Sequence, residues 1–269
     1  RANPHRIHLG HVGFRIKLKN GSLATPDDLR DIKQRLNPYT GEIQSSFSVE
    51  GFSVKVLTFA DPKEDIIYTK VESPLLKIGR LSFQLDFPFP SQQFLDEGVT
   101  NAYPEKHKSY LSDSAPRHLV FQHQIDSLHY PVAIQANQLI QAQQLSAHTF
   151  EIKANHSAQI VLAVGFGNIK MGDFHTKRLL GRKVWKHYWN QGGMIDFGQV
   201  KDQRAKELER RMVLSMYLAK VQSISNEPPQ ETGLVYNSWF GRPHLEMTWW
   251  HLMHFVYWNK GEYLEQVLP

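Results

Sequence analysis

The sequence predicts an antiparallel β-sandwich followed by an α-helical segment, and three observations lead there. Apolar and polar residues alternate in short runs through most of the first 170 positions. Gly, Pro and Asn break those runs at close intervals. After Gly165 and Gly167 the period changes from two to about 3.6. Many short strands between turn residues fit a sandwich rather than βαβ crossovers.

Taken in order, Val12, Phe14, Ile16 and Leu18 alternate with Gly13, Arg15, Lys17 and Lys19 before the turn pair Asn20-Gly21, as a strand with one wet face does. Val54 to Phe59 and Ile66 to Val71 are β-branched or aromatic runs separated by the breaker Asp61-Pro62. Leu81, Phe83, Leu85 and Phe87 alternate until Pro88 and Pro90. Further strands are expected at His118–Gln124, Tyr130–Gln135, Phe150–Ala154 and Gln159–Phe166.

From Asp202 to Ile224 there is no Gly or Pro, and Leu208, Met212 and Met216 recur every four residues, with Ala205 and Ala219 extending the stripe. Asp202 stands where an N-cap or first-turn anion belongs. Val213, Leu214, Tyr217 and Leu218 make this helix apolar around most of its girth, which predicts burial between neighbours. After Pro228-Pro229, a second helix is expected to begin at Pro243 and run to Trp258.

Composition narrows the function. At 269 residues, 41% hydrophobic and 21% charged, the chain can bury a sizeable core, and two domains are expected. The net charge of +5 is spread over 31 basic and 26 acidic residues. The densest basic stretch, Lys177 to Lys186, is broken by Leu179, Leu180, Val184 and Trp185, which reads as a solvated helix or strand face and not a nucleic-acid patch. The absence of cysteine excludes disulfides and Cys-ligated zinc, and leaves the compartment open, with export, periplasmic or extracellular, favoured. No run of about 18 apolar residues is present, so no membrane span is expected. The start RANPHRIHLG and the end GEYLEQVLP suggest a fragment or a processed chain. Phosphate-binding, nucleophile-elbow and dinucleotide-binding glycine motifs are missing, and no cofactor is expected.

The tail is the chemically suggestive region. All six tryptophans lie between Trp185 and Trp258, and the segment NSWFGRPHLEMTWWHLMHFVYW interleaves four of them with His244, Glu246, His251 and His254. Indoles that bury apolar area and present an N–H edge suit sugar rings.

The stretches ELERRMVLSMYLAKVQS, PPQETGL and NSWFGRPHLEMTWWH, with NPHRIHLGHVGFRI and SPLLKIGRLSFQLDFPFP before them, resemble bacterial six-hairpin glycosidase-like proteins, related to the clan of maltose and kojibiose phosphorylases. The resemblance implies an N-terminal β-supersandwich, a linker with helices and an (α/α)6 barrel. It implies residues 1–170 as the later part of the sandwich, 171–201 as linker and 202–269 as the first barrel helices. Gly241-Arg242-Pro243-His244-Leu245-Glu246 looks like the segment that reaches the sugar subsite at the second barrel helix, although Leu245-Glu246 stands where the phosphorylases have Trp-Asp. The resemblance thereby implies Trp239, Arg242, His244 and Glu246 as substrate-binding residues. The catalytic acid and base would come from helices beyond Pro269.

Several residues also have ordinary structural readings. Trp249, Trp250, Phe255 and Trp258, three or four apart on a helix, are expected in the core, and Trp239, in a loop, is the better stacking residue. Glu246 is either a ligand group or a buried partner of Arg242. Glu207 and Glu209 beside Arg210 and Arg211 are expected to tie the first long helix to the sandwich or linker; Glu227 and Glu231 flank the double proline in a loop, where the ordinary reading of Glu231 outweighs a functional one. His244, His251 and His254 would share one face of a helix regular from Pro243, but His-Glu-x-x-His spacing is absent and no metal is assigned. The resemblance therefore implies part of a glycoside hydrolase that acts on O-glycosidic bonds of oligosaccharides through paired carboxylates, with phosphorolysis left open. The alternative is a non-catalytic carbohydrate-binding or structural module. The expected partner is an oligosaccharide or glycoside, with no nucleic acid and no membrane.

Overall fold

The computed structural model describes residues 6–91, 93–96, 98–155, 157–168, 170–234 and 236–268. They form two compact units. The larger comprises Leu9–Phe89 and Asn101–Trp185; the smaller takes the described residues before Leu9, Pro90–Thr100 and those from Lys186 onward.

The chain begins with β1 (His11–Ile16), β2 (Leu29–Asn37), β3 (Glu42–Val49), β4 (Phe52–Ala60), β5 (Ile66–Glu72), α1 (Pro74–Lys77) and β6 (Leu81–Asp86). Three two-residue strands follow: β7 (Phe89–Pro90), β8 (Leu95–Asp96) and β9 (Val99–Thr100). Then come β10 (His107–Ala115), β11 (His118–Ile125), β12 (Leu128–Ala136), β13 (Ile140–Gln144), β14 (Thr149–Ala154) and β15 (Gln159–Phe166). The rest is α2 (Phe174–Asn190), α3 (Arg204–Ser223), β16 (Asn237–Ser238), α4 (Leu245–Tyr257) and α5 (Glu262–Glu265).

The larger unit is the expected antiparallel sandwich. One sheet has the order β1-β6-β14-β13, the other β10-β11-β12-β15-β5-β4-β3-β2. Strict alternation along β11 turns Leu119, Phe121, His123 and Ile125 inward. Phe121 meets Phe150 of β14 with ring centroids 4.9 Å apart, which closes the two sheets over a common core. The strands expected from alternation are present at nearly the expected bounds. Within these two sheets, those not anticipated are β2, β3, β10 and β13, and three of these four are sheet edges. An edge strand such as LRDIKQRLN in β2, exposed along most of its length, is held by its ladder of backbone hydrogen bonds and carries little apolar signal.

α2 lies within the span read as linker, and the basic stretch Lys177–Lys186 is part of it. Asp173 accepts the backbone N–H of Thr176 at 2.9 Å and so caps the first turn. Phe174 sets its ring edge against Phe59 at 5.1 Å, and Phe59 stacks on Tyr68 at 5.1 Å, on the outer face of the larger sheet. Arg178 and Arg182, one helical turn apart, each grip the buried carboxylate of Glu42 with two nitrogens at 2.6–2.9 Å. Burial raises the Glu42 pKa, but the two guanidinium forks outweigh it and hold the pKa near 2. Lys177 pairs with buried Asp61 at 2.7 Å. Three of the five cations in the basic run thus pair with buried carboxylates. Gly41, at φ 66°, leaves the room that the Trp185 indole fills.

Candidate functional site

The residues singled out by sequence fall in the smaller unit, on α3, α4 and the loop between them. The α3 helix spans Arg204–Ser223, with Asp202 accepting the Arg204 N–H at 2.9 Å. It is not enclosed on all sides: Leu208 and Leu218 face solvent, while Val213, Met216 and Tyr217 are buried. Glu207 pairs with Arg210 and Arg211 at 2.7 and 2.8 Å on its exposed surface, a local cluster and not a tie to another element. Glu209 makes such a tie, accepting the Phe197 N–H at 2.9 Å.

α4 starts at Leu245, two residues later than Pro243, because Pro243 bridges to Gln230 and His244 takes the extended N-cap conformation. Its buried stripe is Thr248, Leu252 and Phe255, which share a face at spacings of four and three. Trp249 and Trp250 lie off that stripe and are 55% and 67% exposed, so the expectation that both pack in the core fails; Phe255 meets it and Trp258 is half-buried. Between α3 and α4, Met212, Met216, Ala219, His254 and Trp258 line a cavity of about 380 Å³. Burial, and then His251, push the His254 pKa down.

The turn before α4 holds the most unusual backbone of the unit. Trp239, Phe240 and Gly241 have φ of 49°, 59° and 70°, three successive left-handed residues of which two are bulky aromatics. That conformation costs on the order of 1–3 kcal/mol for each non-glycine residue and persists only where surroundings fix it. They do so here. A Cβ on Gly241 would meet Asn237 Oδ1 at 2.8 Å and Arg6 O at 2.9 Å, and the Arg6 N–H donates to Gly241 O at 2.8 Å. The Arg6 guanidinium donates to Ser225 Oγ, Glu227 O and Pro228 O at 2.8–3.1 Å, pinning the double-proline loop. Before the turn, β16 pairs with β8. Phe94, just ahead of β8, sets its ring edge-on to Trp239 at 4.7 Å and to Phe240 at 5.6 Å.

The result is an outward-facing aromatic and ionic cluster. Trp239 remains 44% exposed, with the His244 ring 5.2 Å away. The Arg242 guanidinium lies over the Phe240 ring at 5.3 Å. His244 Nδ1 is 3.6 Å from Glu231 Oε2, a buried oxygen without a hydrogen-bond partner among the described residues. The His251 Nε2–H donates to the Glu231 carbonyl at 2.7 Å and fixes that residue's backbone. Three of the four expected residues, Trp239, Arg242 and His244, therefore gather on one turn. Glu246 does not join a pair with Arg242; it is exposed in the first turn of α4 and has no side-chain partner among the described residues. Glu231 takes the place beside His244 expected of Glu246. Its only sequence signal was its position after Pro228-Pro229. His251 turns to Glu231 while His254 faces the α3–α4 cavity, and among the described residues no three His, Asp or Glu could hold a metal.

No family model and no curated protein sequence matches the chain. Solved structures do. A protein from the human microbiome assigned as a kojibiose phosphorylase matches with a TM-score of 0.54 and 12% identity over 85% of this chain. A bacterial glucoamylase, solved complexed with acarbose, matches with a TM-score of 0.58 and 10% identity over 95% of it. Over that part the chain shares its fold with these two proteins. The chain spans 34% and 43% of those two proteins' lengths.

Proposed function

We propose that this chain belongs to a carbohydrate-active enzyme that breaks O-glycosidic bonds, and that the Trp239 turn contributes a sugar subsite to it. In this reading residues 1–170 are sandwich, 171–201 linker, and 202–269 the first helices of an (α/α)6 barrel. The catalytic carboxylates belong to helices beyond Pro269. Support comes from the likeness to a glucoamylase and an assigned kojibiose phosphorylase.

The observation that carries the reading is the strained turn itself. A left-handed Trp-Phe pair is a costly way to build a loop, and strain of this kind concentrates where a ligand needs a fixed group. Here it holds an exposed indole beside Arg242, His244 and a carboxylate oxygen of Glu231 that lacks a donor among the described residues. A pyranose ring set with its C–H face on Trp239 would bring hydroxyls toward those groups, where hydrogen bonds to charged partners are worth about 1.5–3 kcal/mol each. Glu246, on α4, is proposed as a further hydroxyl acceptor from the same helix start.

Titration calorimetry with acarbose and kojibiose tests this. Trp239→Ala and Glu231→Gln should each weaken binding about tenfold or more while leaving the far-ultraviolet spectrum unchanged. Binding that survives both substitutions at wild-type strength would place the sugar elsewhere.

A further inference from the structure

We propose that the outer face of the β2–β3–β4–β5 sheet, in the larger unit, is a binding groove for a carboxylated polysaccharide. It is independent of the Trp239 turn and goes beyond the reading above. Pairing register builds the groove. One row across four strands is Lys33, Ser46, Lys55 and Glu72; the next row on the same face is Arg35, Gln44, Leu57 and Lys70. Neighbouring strands are about 4.8 Å apart and same-face residues along a strand about 7 Å, so these side chains form a lattice wide enough for several sugar rings. The face encloses a depression of about 450 Å³.

Charge and hydrogen-bonding character then choose the ligand. Two rows hold four cations and one carboxylate, and Glu72 is committed to Lys70 at 2.6 Å. Lys33, Arg35 and Lys55 have no ion pair or side-chain hydrogen bond among the described residues. Lysine on β2 alone would read as protection of a sheet edge. Lys55 and Lys70 stand on interior strands, where no edge exists to protect. The same face shows how it treats a carboxylate: a few residues away Glu42 sits in the forks of Arg178 and Arg182. Between the cations lie the amide of Gln44 and the hydroxyl of Ser46, which suit sugar hydroxyls. The two rows contain no aromatic ring on which a nucleobase could stack, which argues against single-stranded nucleic acid. Phe59 and Tyr68, one row further along, are already covered by Phe174 of α2.

Isothermal titration with polygalacturonate tests the assignment, alongside neutral dextran, dextran sulfate and a single-stranded DNA oligomer, in low and moderate salt. The wild-type chain should bind polygalacturonate with an affinity that falls as salt rises. Arg35→Gln with Lys55→Gln should weaken it at least about tenfold at unchanged melting temperature, because both side chains are exposed. Lys55→Arg, which keeps the charge, should restore most of the affinity lost in Lys55→Gln. Absence of polygalacturonate binding, or equal binding by the double variant, would overturn the proposal. So would tighter, equally sensitive binding of DNA, equal binding of dextran sulfate, or equal binding of neutral dextran.

Discussion

Replacing His123 by phenylalanine should make the sandwich more resistant to acid while weakening it at neutral pH. His123 is 2% exposed, stacks on Phe87 at 4.8 Å, and faces Ser109 Oγ with its Nδ1 at 2.8 Å. Ser109 Oγ also meets His148 Nδ1 at 3.0 Å, and His148 Nε2 meets the Pro104 carbonyl at 2.8 Å. The carbonyl only accepts, so His148 carries its proton on Nε2; its bare Nδ1 accepts from the Ser109 hydroxyl, and Ser109 accepts from the His123 Nδ1–H. Each of these three contacts thereby has one donor and one acceptor. His107 stacks on His148 at 3.5 Å. Burial first, then the neighbouring imidazoles, push His107 and His123 down to about 4, while Asp86 and Glu105 pull His107 the other way. A folded pKa near 4 against about 6.5 in the unfolded chain means that only the unfolded state takes up protons between those values. Stability is complete above about pH 6.5 and is lost as pH falls toward 4, by about 2 kcal/mol per ring at pH 5 and about 3 at pH 4. The two rings are coupled, so the pair contributes less than twice this. His123→Phe keeps the stack on Phe87 but leaves Ser109 one donor short, a loss of about 1 kcal/mol at neutral pH. Urea unfolding at pH 7.5, 6 and 5 should show wild type ahead at 7.5 and behind at 5. Parallel stability curves over that range would refute the neutral relay.

Two further expectations follow from the ionic geometry. Glu42→Gln leaves Arg178 and Arg182 facing a neutral amide and should cost about 2–4 kcal/mol at pH 7, read as a lower urea midpoint. Because the folded Glu42 pKa lies near 2, the wild-type contribution is present above about 4.5 and fades as pH falls toward 2, and the variant should lack that dependence. Glu246→Gln should leave the melting temperature unchanged, since the side chain is exposed and unpaired among the described residues, and, on the proposed reading, should reduce kcat/KM of the full-length protein toward a glycoside by about 1.5–3 kcal/mol. A destabilised variant with full activity would remove it from the subsite.

What the sequence revealed and what it concealed divide along physical lines. Strands announce themselves by alternation, as β1 and β6 did, or by β-branched and aromatic runs, as β4 and β5 did. Edge strands β2, β10 and β13 rely on backbone pairing that any side chain can accompany, so they left no pattern. The helix α3 was plain from its uninterrupted period, but its degree of burial was not, since an apolar circumference records what a helix is able to cover and not what surrounds it. The basic stretch in α2 looked like a solvated face, and only its meeting with Glu42 and Asp61, more than a hundred residues earlier, shows where its charge goes. Trp239 and Arg242 were read from local sequence and lie together; the partnership of His244 with Glu231 depends on a loop folding back across thirteen residues, which spacing on a helix cannot reveal.

That loop explains why the carboxylate beside His244 is Glu231 and not Glu246. Side chains two apart at the start of a helix diverge by about 200°, so Glu246 was never positioned to share a pocket with His244 once α4 formed. A loop is free of that constraint. The Gln230–Pro243 bridge brings the two ends of the turn together, the His251 Nε2–H anchors the Glu231 carbonyl, and the carboxylate is left aimed at His244 from the opposite side. The helix supplies the anchor and the strained turn supplies the indole, so the cluster draws on three sequence neighbourhoods. A polar oxygen buried without a donor is an expense that a loop of this kind sheds readily by rotating one side chain. Its retention here, without a hydrogen-bond partner among the described residues and next to an exposed indole and the His244 ring, is what an incoming hydroxyl would resolve.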